Sequence, residues 1–247
     1  MKRFLYNTGV ELNFDEARHR YEANGVSVRG TTTILDILNK PALIGWAANK
    51  AVDHIEAYVN YAGINEPEVT FSMLEFITVF KDARKAHTQH SKGAADIGTE
   101  AHKAIESWIK GDPIMKVSTP EAELAVRTFL EWTAVNKVTF ESSEEMVFSR
   151  KYNYAGTYDF ICEMGGKRYL GDIKTSNATY PSYWLQVSAY QQAIQEENPK
   201  EKFDGQIIVR CSKTGQLDVQ TNFDYKANRD AFNHCVALDK HLNGKSI

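Results

Sequence analysis

The chain is poor in cysteine: Cys162, Cys211 and Cys235 are the only three in 247 residues, and no two form a CxxC pair. That spacing supports neither a zinc site nor a four-cysteine iron–sulfur cluster, and scattered thiols in odd number suit a reducing compartment. Long apolar runs are missing too; none approaches the ~20 residues that cross a bilayer. The opening MKRFLYNTGVELNFDEARHRYE has no apolar signal core and carries acids early, unlike a transit peptide. There is no internal repeat and no low-complexity tract. Net charge is only −3, so any contact with nucleic acid has to come from local patches or from bound metal rather than from a global basic field. No serine–histidine or cysteine–histidine pairing is signalled. What is present is ordinary for a globular chain, 43% hydrophobic and 25% charged, enough for one large domain or a core with an appended subdomain. The expectation is a cytoplasmic protein without a membrane partner.

The most informative stretch is AGTYDFICEMGGKRYLGDIKTS, residues 155–176. Gly165-Gly166 signals a two-residue hairpin turn, because both central residues of the favoured turns need positive φ. With that turn, Met164 faces Lys167, and counting outward sets Asp159 opposite Asp172 and Thr157 opposite Lys174. Directly opposed residues have Cβ atoms ~4.5–5.5 Å apart, where like charges repel. Asp172 and Lys174 share a face by the period of two. Apolar and aromatic neighbours (Tyr158, Phe160, Ile161, Tyr169, Leu170, Ile173) argue against a solvated hairpin. Two acids so placed call for a positive group between them, and a divalent cation with carboxylate oxygens as ligands is the simplest one.

Around this hairpin the chain reads as follows. Residues 18–29 form a small hairpin about Asn24-Gly25. A helical pattern runs from Thr33 to about Tyr61, broken at Pro41, and Glu66-Pro67 marks a loop. Residues 71–92 form another helix, whose Lys81, Arg84, Lys85 and Lys92 are either a stripe along a DNA channel or a solvated face. Gly98-Thr99-Glu100-Ala101-His102 opens a further helix to about Lys110, with His102, Ile105, Glu106 and Ile109 on one face. A helix over 119–136 is capped by Ser118 or Thr119. A strand follows from Val138 to Phe148, containing Glu144. After the central hairpin comes a helix from Pro181 to about Glu197, with Tyr183, Gln186 and Tyr190 on one face, then a strand over Gln206–Arg210. Strand, helix, strand implies a parallel crossover. Gly215 turns the chain into Leu217–Thr221, and a last helix runs from about Tyr225 to His241. The predicted fold class is α/β: a central mixed β-sheet flanked by helices in residues 93–247, preceded by an N-terminal hairpin and mostly helical region, 1–92, that packs on or arches over that core or elaborates the same domain.

The ordered set His102, Glu144, Asp159, Asp172-x-Lys174, Gln186-x-x-x-Tyr190 resembles the PD-(D/E)XK nuclease superfamily, and within it the RecB-like exonuclease branch, which includes the mitochondrial genome-maintenance exonuclease and many phage exonucleases. The likeness is carried by GTEAHKAIESWI, EEMVFS, AGTYDF, GDIKTS and LQVSAY, from about Gly98 to Arg210; the N-terminal run HRYEANGVSVRGTTTILDILNKPALIGWA is more loosely similar. The proline of the superfamily's name is absent, with Tyr158 before Asp159, and so are the iron–sulfur cysteines of part of the branch. The resemblance implies a restriction-endonuclease-like core and one or two Mg2+ or Mn2+ ions. Their ligands would be His102, Asp159, Asp172 and the Ile173 backbone carbonyl, with Glu144 as an outer or second-metal ligand. Nitrogen in the shell favours manganese. Lys174 would orient and polarise the attacking water, making Asp159, Asp172 and Lys174 the catalytic set. Gln186 and Tyr190 would position the nucleic-acid backbone and the helix around the site, and Thr175 and Ser176 would donate to a phosphate.

The function expected from this is a metal-dependent DNA exonuclease acting on single-stranded or duplex ends in recombination, repair or phage DNA metabolism. A helicase or a single-strand annealing protein would be its candidate partner, in a bacterium or a phage-infected host cell. Two alternatives stay open: a structure-specific endonuclease of the same fold, and a catalytically silent module that binds DNA or a partner.

Overall fold

The computed structural model describes residues 1–38, 40–62 and 70–243; the expected loop at Glu66-Pro67 lies outside them. The chain divides into two compact units, one of residues 1–38 and 98–247, the other of residues 39–97. This division differs from a boundary at residue 92, because the first thirty residues are built into the sheet of the first unit. They form four strands, β1 (Lys2–Leu5), β2 (Val10–Asp15), β3 (Arg20–Ala23) and β4 (Val26–Gly30), where the sequence shows one hairpin. That hairpin is present: Tyr21 pairs with Val28 and Ala23 with Val26, and Asn24 and Gly25 both have positive φ. Leu5, Val10, Leu12, Tyr21 and Val28 from these strands bury a core of their own with Met146, Phe148 and Ala155.

The helical run after Thr31 breaks at the expected proline into α1 (Thr31–Leu35) and α2 (Pro41–Ala62). A single helix, α3 (Met73–Ile109), replaces the two expected over 71–92 and 98–110. Gly93 and Gly98 lie inside it; a helical glycine costs only about 1 kcal/mol relative to alanine and does not end a helix by itself. The order continues with α4 (Pro120–Asn136), β5 (Thr139–Ser149), β6 (Tyr154–Met164), β7 (Lys167–Lys174), α5 (Pro181–Glu197), β8 (Gly205–Cys211), β9 (Leu217–Asn222) and α6 (Lys226–Asn243). Thr119 caps α4 by accepting from Ala122 N–H at 3.3 Å, and the next residue is proline, preorganised for a first helical turn. Among the described residues no helix is long and apolar enough to cross a membrane.

The α/β class with a central mixed sheet is observed. The strands order as β1-β2-β3-β4-β6-β7-β8-β9, with β5 paired to β6 off this path. β7 and β8 are parallel, as a crossover through α5 requires, while β8 and β9 are antiparallel. One core packs α1, α5 and α6 against the sheet through Ile34, Tyr154, Leu170, Val187, Tyr190, Ile208 and Phe232. A second, aromatic cluster joins Trp108 of α3 and Phe129 and Trp132 of α4 to Phe140 and Phe160 of the sheet. The Arg29 guanidinium donates two hydrogen bonds to the buried Asp239 carboxylate, tying β4 to α6.

Strand β6 has three partners, and this opens the site. β5 runs antiparallel along it from Thr139↔Glu163 to Ser149↔Tyr154, so β4 and β7 share the other edge. β4 is parallel to its start, at Tyr154 and Ala155. β7 is antiparallel to its end, from Met164↔Lys167 to Phe160↔Gly171. Residues 156–159 therefore pair with neither, and the sheet forks there. The last rung of the β6–β7 ladder explains Gly171: a Cβ at that position would lie 2.0 Å from Cε2 of Phe160. The Phe160 ring is thus packed over bare backbone. Gly171→Ala should destabilise the protein by about 1–3 kcal/mol through overpacking, read from urea unfolding. Its loss should be non-additive with that of Phe160→Leu, and strictly additive losses would contradict the clamp.

Candidate metal centre

The fork brings side chains from four elements together. His102 and Glu106 come from the last two turns of α3, Glu144 from β5, Asp159 from β6, and Asp172 and Lys174 from β7. One ligand atom each of His102, Glu144 and Asp159 lie within 4.8 Å of one another, and His102 Nδ1 is 3.6 Å from Asp159 Oδ2. The Gly165-Gly166 turn has the expected positive φ at both residues, so the hairpin register is the one read from the sequence as far as Phe160↔Gly171. Beyond that rung the strands part. The Ile173 N–H donates to the Asp159 carboxylate at 2.6 Å, so a side chain takes an amide that a ladder would have given to a carbonyl. Asp159 and Asp172 flank the opening without a ladder pairing. The Ile173 backbone also hydrogen-bonds the His102 ring, which sets that residue between the imidazole and the acid.

Asp172 is fully buried. Its Oδ1 has no hydrogen-bond partner, and Oδ2 has the Lys174 ammonium 2.5 Å away. Burial pushes the Asp172 carboxyl up to about 6, with Lys174 pulling against it and Asp159 adding to it. Burial also raises Asp159, against Lys174 and the Ile173 amide. Burial again, with the charges of Asp159 and Glu106, pushes Glu144 up to about 9. His102 goes the other way: burial and the Lys174 charge push it down to about 4, so the imidazole is neutral at pH 7, the form that ligates metals. For Lys174, burial opposes the charge but Asp172 and Asp159 outweigh it and hold the ammonium above its ordinary value. Three acids held above their ordinary range around a neutral imidazole are a cluster short of positive charge. Buried oxygens without donors and an imidazole nitrogen are a donor set that a divalent cation fits, and the cation's own charge would lower all three acids.

Glu144 carries a second mark. It is a non-glycine residue inside β5 with φ 53°, and it drops out of a ladder that pairs Ser143 with Phe160 and Glu145 with Tyr158. A left-handed residue within a strand costs of order 1–3 kcal/mol and is kept only where the surroundings enforce it. Ser143 helps, its hydroxyl donating to the Asp159 backbone carbonyl at 2.9 Å. The sequence suggests Glu144 as an outer or second-metal ligand, and its alternation gives no sign of the kink; the structure places it with His102 and Asp159.

Lys174 is held from the helix side. Its ammonium donates to Gln186 Oε1 at 3.3 Å, Gln186 Nε2 donates to the Tyr190 hydroxyl at 2.7 Å, and the Tyr183 ring centroid is 4.8 Å from Nζ. Tyr190 is 3% exposed and supports Gln186 from beneath. It sits against Gly156, where a Cβ would fall 2.3 Å from the Tyr190 ring; that glycine belongs to the fork's unpaired segment. Thr175 and Ser176 follow β7, half-buried. Gly98 of α3 meets Thr175: a Cβ there would be 2.9 Å from Thr175 Oγ1. Lys81, Arg84 and Lys85 are exposed on α3 within the second unit. Glu106 and Tyr183 are site residues that the sequence reading leaves without a role. The spacing of Glu106 at i+4 from His102 is the signal that would have found the first.

No family model matches the chain, and no curated protein sequence matches it. Among solved structures, the crystal structure of SSO0001 is 18% identical with a TM-score of 0.30, over 58% of this chain and 73% of that one. The crystal structure of an alkaline exonuclease, LHK-Exo, from Laribacter hongkongensis is 13% identical with a TM-score of 0.31, over 60% and 83%. Likeness at this level carries no functional argument, and the site is read from its own residues.

If the Glu144 backbone is strained, Glu144→Gly should be more stable than Glu144→Ala by about 1 kcal/mol, since glycine adopts positive φ at no steric cost. Paired denaturant curves measure this; alanine equal to or above glycine would remove the strain.

Proposed function

We propose that the chain is a metal-dependent nuclease that hydrolyses phosphodiester bonds of DNA, acting from strand ends. The observation that carries this reading is the convergence of His102, Glu144 and Asp159 within 4.8 Å, next to the donor-starved Asp172 and its ammonium neighbour Lys174. DNA as the substrate, ends as the point of attack, and a recombination helicase or annealing protein as partner rest on the sequence resemblance. His102, Glu144, Asp159, Asp172 and the Ile173 carbonyl would hold one or two ions, and the imidazole favours Mn2+ over Mg2+. A bound divalent cation supplies positive charge at the phosphate and makes water more acidic.

The chain's own groups do the rest. Lys174 is braced by Asp172 and Gln186 and backed by the Tyr183 ring, so its ammonium is fixed before substrate arrives; preorganised charge of this kind is worth most in a dry site. Its raised pKa keeps it cationic through the neutral range, suited to orienting water and steadying charge on the phosphate oxygens. Neutral His102 has one ring nitrogen without a proton, the form in which an imidazole can ligate a metal. Thr175 would donate its hydroxyl to a phosphate, and Ser176 would do so only by giving up its hydrogen bond to the Ala178 carbonyl.

With Mn2+, linear single-stranded or duplex DNA should be degraded and a closed single-stranded circle left intact, the reaction stopping in EDTA. Lys174→Ala should slow cleavage by about 10²–10³-fold while calorimetry still detects metal binding, because the carboxylates remain. Cutting of the circle would move the assignment to an endonuclease. No cleavage of any DNA despite bound metal would make the protein a binding module and overturn the nuclease reading.

A further inference from the structure

One strand beyond Lys174 stands Arg210. The parallel register pairs Lys174 of β7 with Arg210 of β8, and register partners in a parallel pair project from the same face, strands about 4.8 Å apart. Lys174 and Arg210 are therefore adjacent on one face of the sheet at the carboxyl ends of two parallel strands, where open α/β sheets present their ligand sites. Arg210 is 8% exposed. A guanidinium that deep ordinarily spends its planar fork of five donors on close partners. Here Nε reaches Asp218 Oδ2 at 3.5 Å and a terminal N–H reaches the Ser176 carbonyl at 3.5 Å, both at the long limit of hydrogen bonding. Asp218 is engaged more closely elsewhere, accepting from Thr179 Oγ1 at 2.9 Å and from Gln220 Nε2 at 3.0 Å. Ser176 belongs to the loop that leaves Lys174, and its side chain hydrogen-bonds Tyr183, the ring beside the ammonium.

We infer that Arg210 is a second phosphate-binding group: it takes a non-scissile phosphate of the strand whose scissile phosphate lies at Lys174. This rests on the nuclease reading of the same site. The loosely held fork matches a phosphate's two oxygens, and charge-assisted, bidentate contacts of that kind are the strong ones. Asp218 and the Ser176 carbonyl partly offset the charge before a strand arrives. Side by side, Lys174 and Arg210 would read two successive phosphates and so fix the register of the strand on the fork.

The test combines a salt series and kinetics on the full chain. Anisotropy of a labelled single-stranded oligonucleotide in EDTA gives the slope of log affinity against log salt; cleavage in Mn2+ gives kcat and KM. In Arg210→Gln the slope should fall by about 0.7–1, and KM should rise about tenfold with kcat nearly unchanged, the pattern of lost uniform binding. Arg210→Lys should keep the slope and lose part of the affinity. A methylphosphonate at the linkage next to the scissile one should cost the wild type the same factor and cost Arg210→Gln nothing more. An unchanged slope, or a fall in kcat alone, would reduce Arg210 to an anchor of the Ser176 loop and overturn the inference. If the wild type binds the oligonucleotide but cuts no DNA, the nuclease reading fails while the slope comparison still decides Arg210. If it binds none, this inference fails too. Should Arg210→Gln not fold, the methylphosphonate scan of the wild type decides alone, and insensitivity beside the scissile linkage would overturn the assignment.

Discussion

A fully buried carboxylate destabilises a fold by several kcal/mol unless charge of opposite sign lies against it. Asp172 is in that position, and much of the surrounding architecture follows from keeping it there. The Phe160 ring over Gly171 ends the β6–β7 ladder one rung before Asp172. The strands then open, and Asp159 takes the Ile173 amide instead of sitting in a ladder. The Ile173 backbone also reaches His102, so helix α3 is linked to the fork through the hairpin's backbone. Lys174, two residues on, is the one cation in contact with Asp172 among the described residues.

The helix side of the site depends on the same opening. Because residues 156–159 pair with neither β4 nor β7, Gly156 offers bare backbone to the Tyr190 ring. Tyr190 then holds Gln186, and Gln186 holds Lys174. Helix α5 is thus placed by apolar packing of Val187, Ala189 and Ala193, while its polar face extends a hydrogen-bond chain to the ammonium. Burial supplies the position, and the chain supplies the direction in which the charge points.

Much of this was legible in the sequence because two periods carry it. The two-glycine turn fixes a register by counting, and Met164↔Lys167 to Phe160↔Gly171 follow without further information. The i, i+3, i+7 spacing put Tyr183, Gln186 and Tyr190 on one helix face. Counting fails where a side chain replaces a backbone partner: the carboxylate of Asp159 captures an amide, so the rung expected between Asp159 and Asp172 does not form. It fails again at Glu144, where a positive φ turns the acid inward. Strands β1 and β2 are short, and only Leu5, Val10 and Leu12 record their burial. Helix α3 continues through Gly93 and Gly98 because neither glycine stops a helix without a capping residue after it.

Crystals of the protein grown without metal and then soaked in Mn2+ test, through anomalous scattering, whether the fork is a divalent cation site. The expected result is an anomalous peak within coordinating distance of His102, Glu144 and Asp159, with the Asp172 carboxylate engaged at the ion as well as at Lys174. A map without a peak at the fork, or with manganese bound only elsewhere, would contradict it.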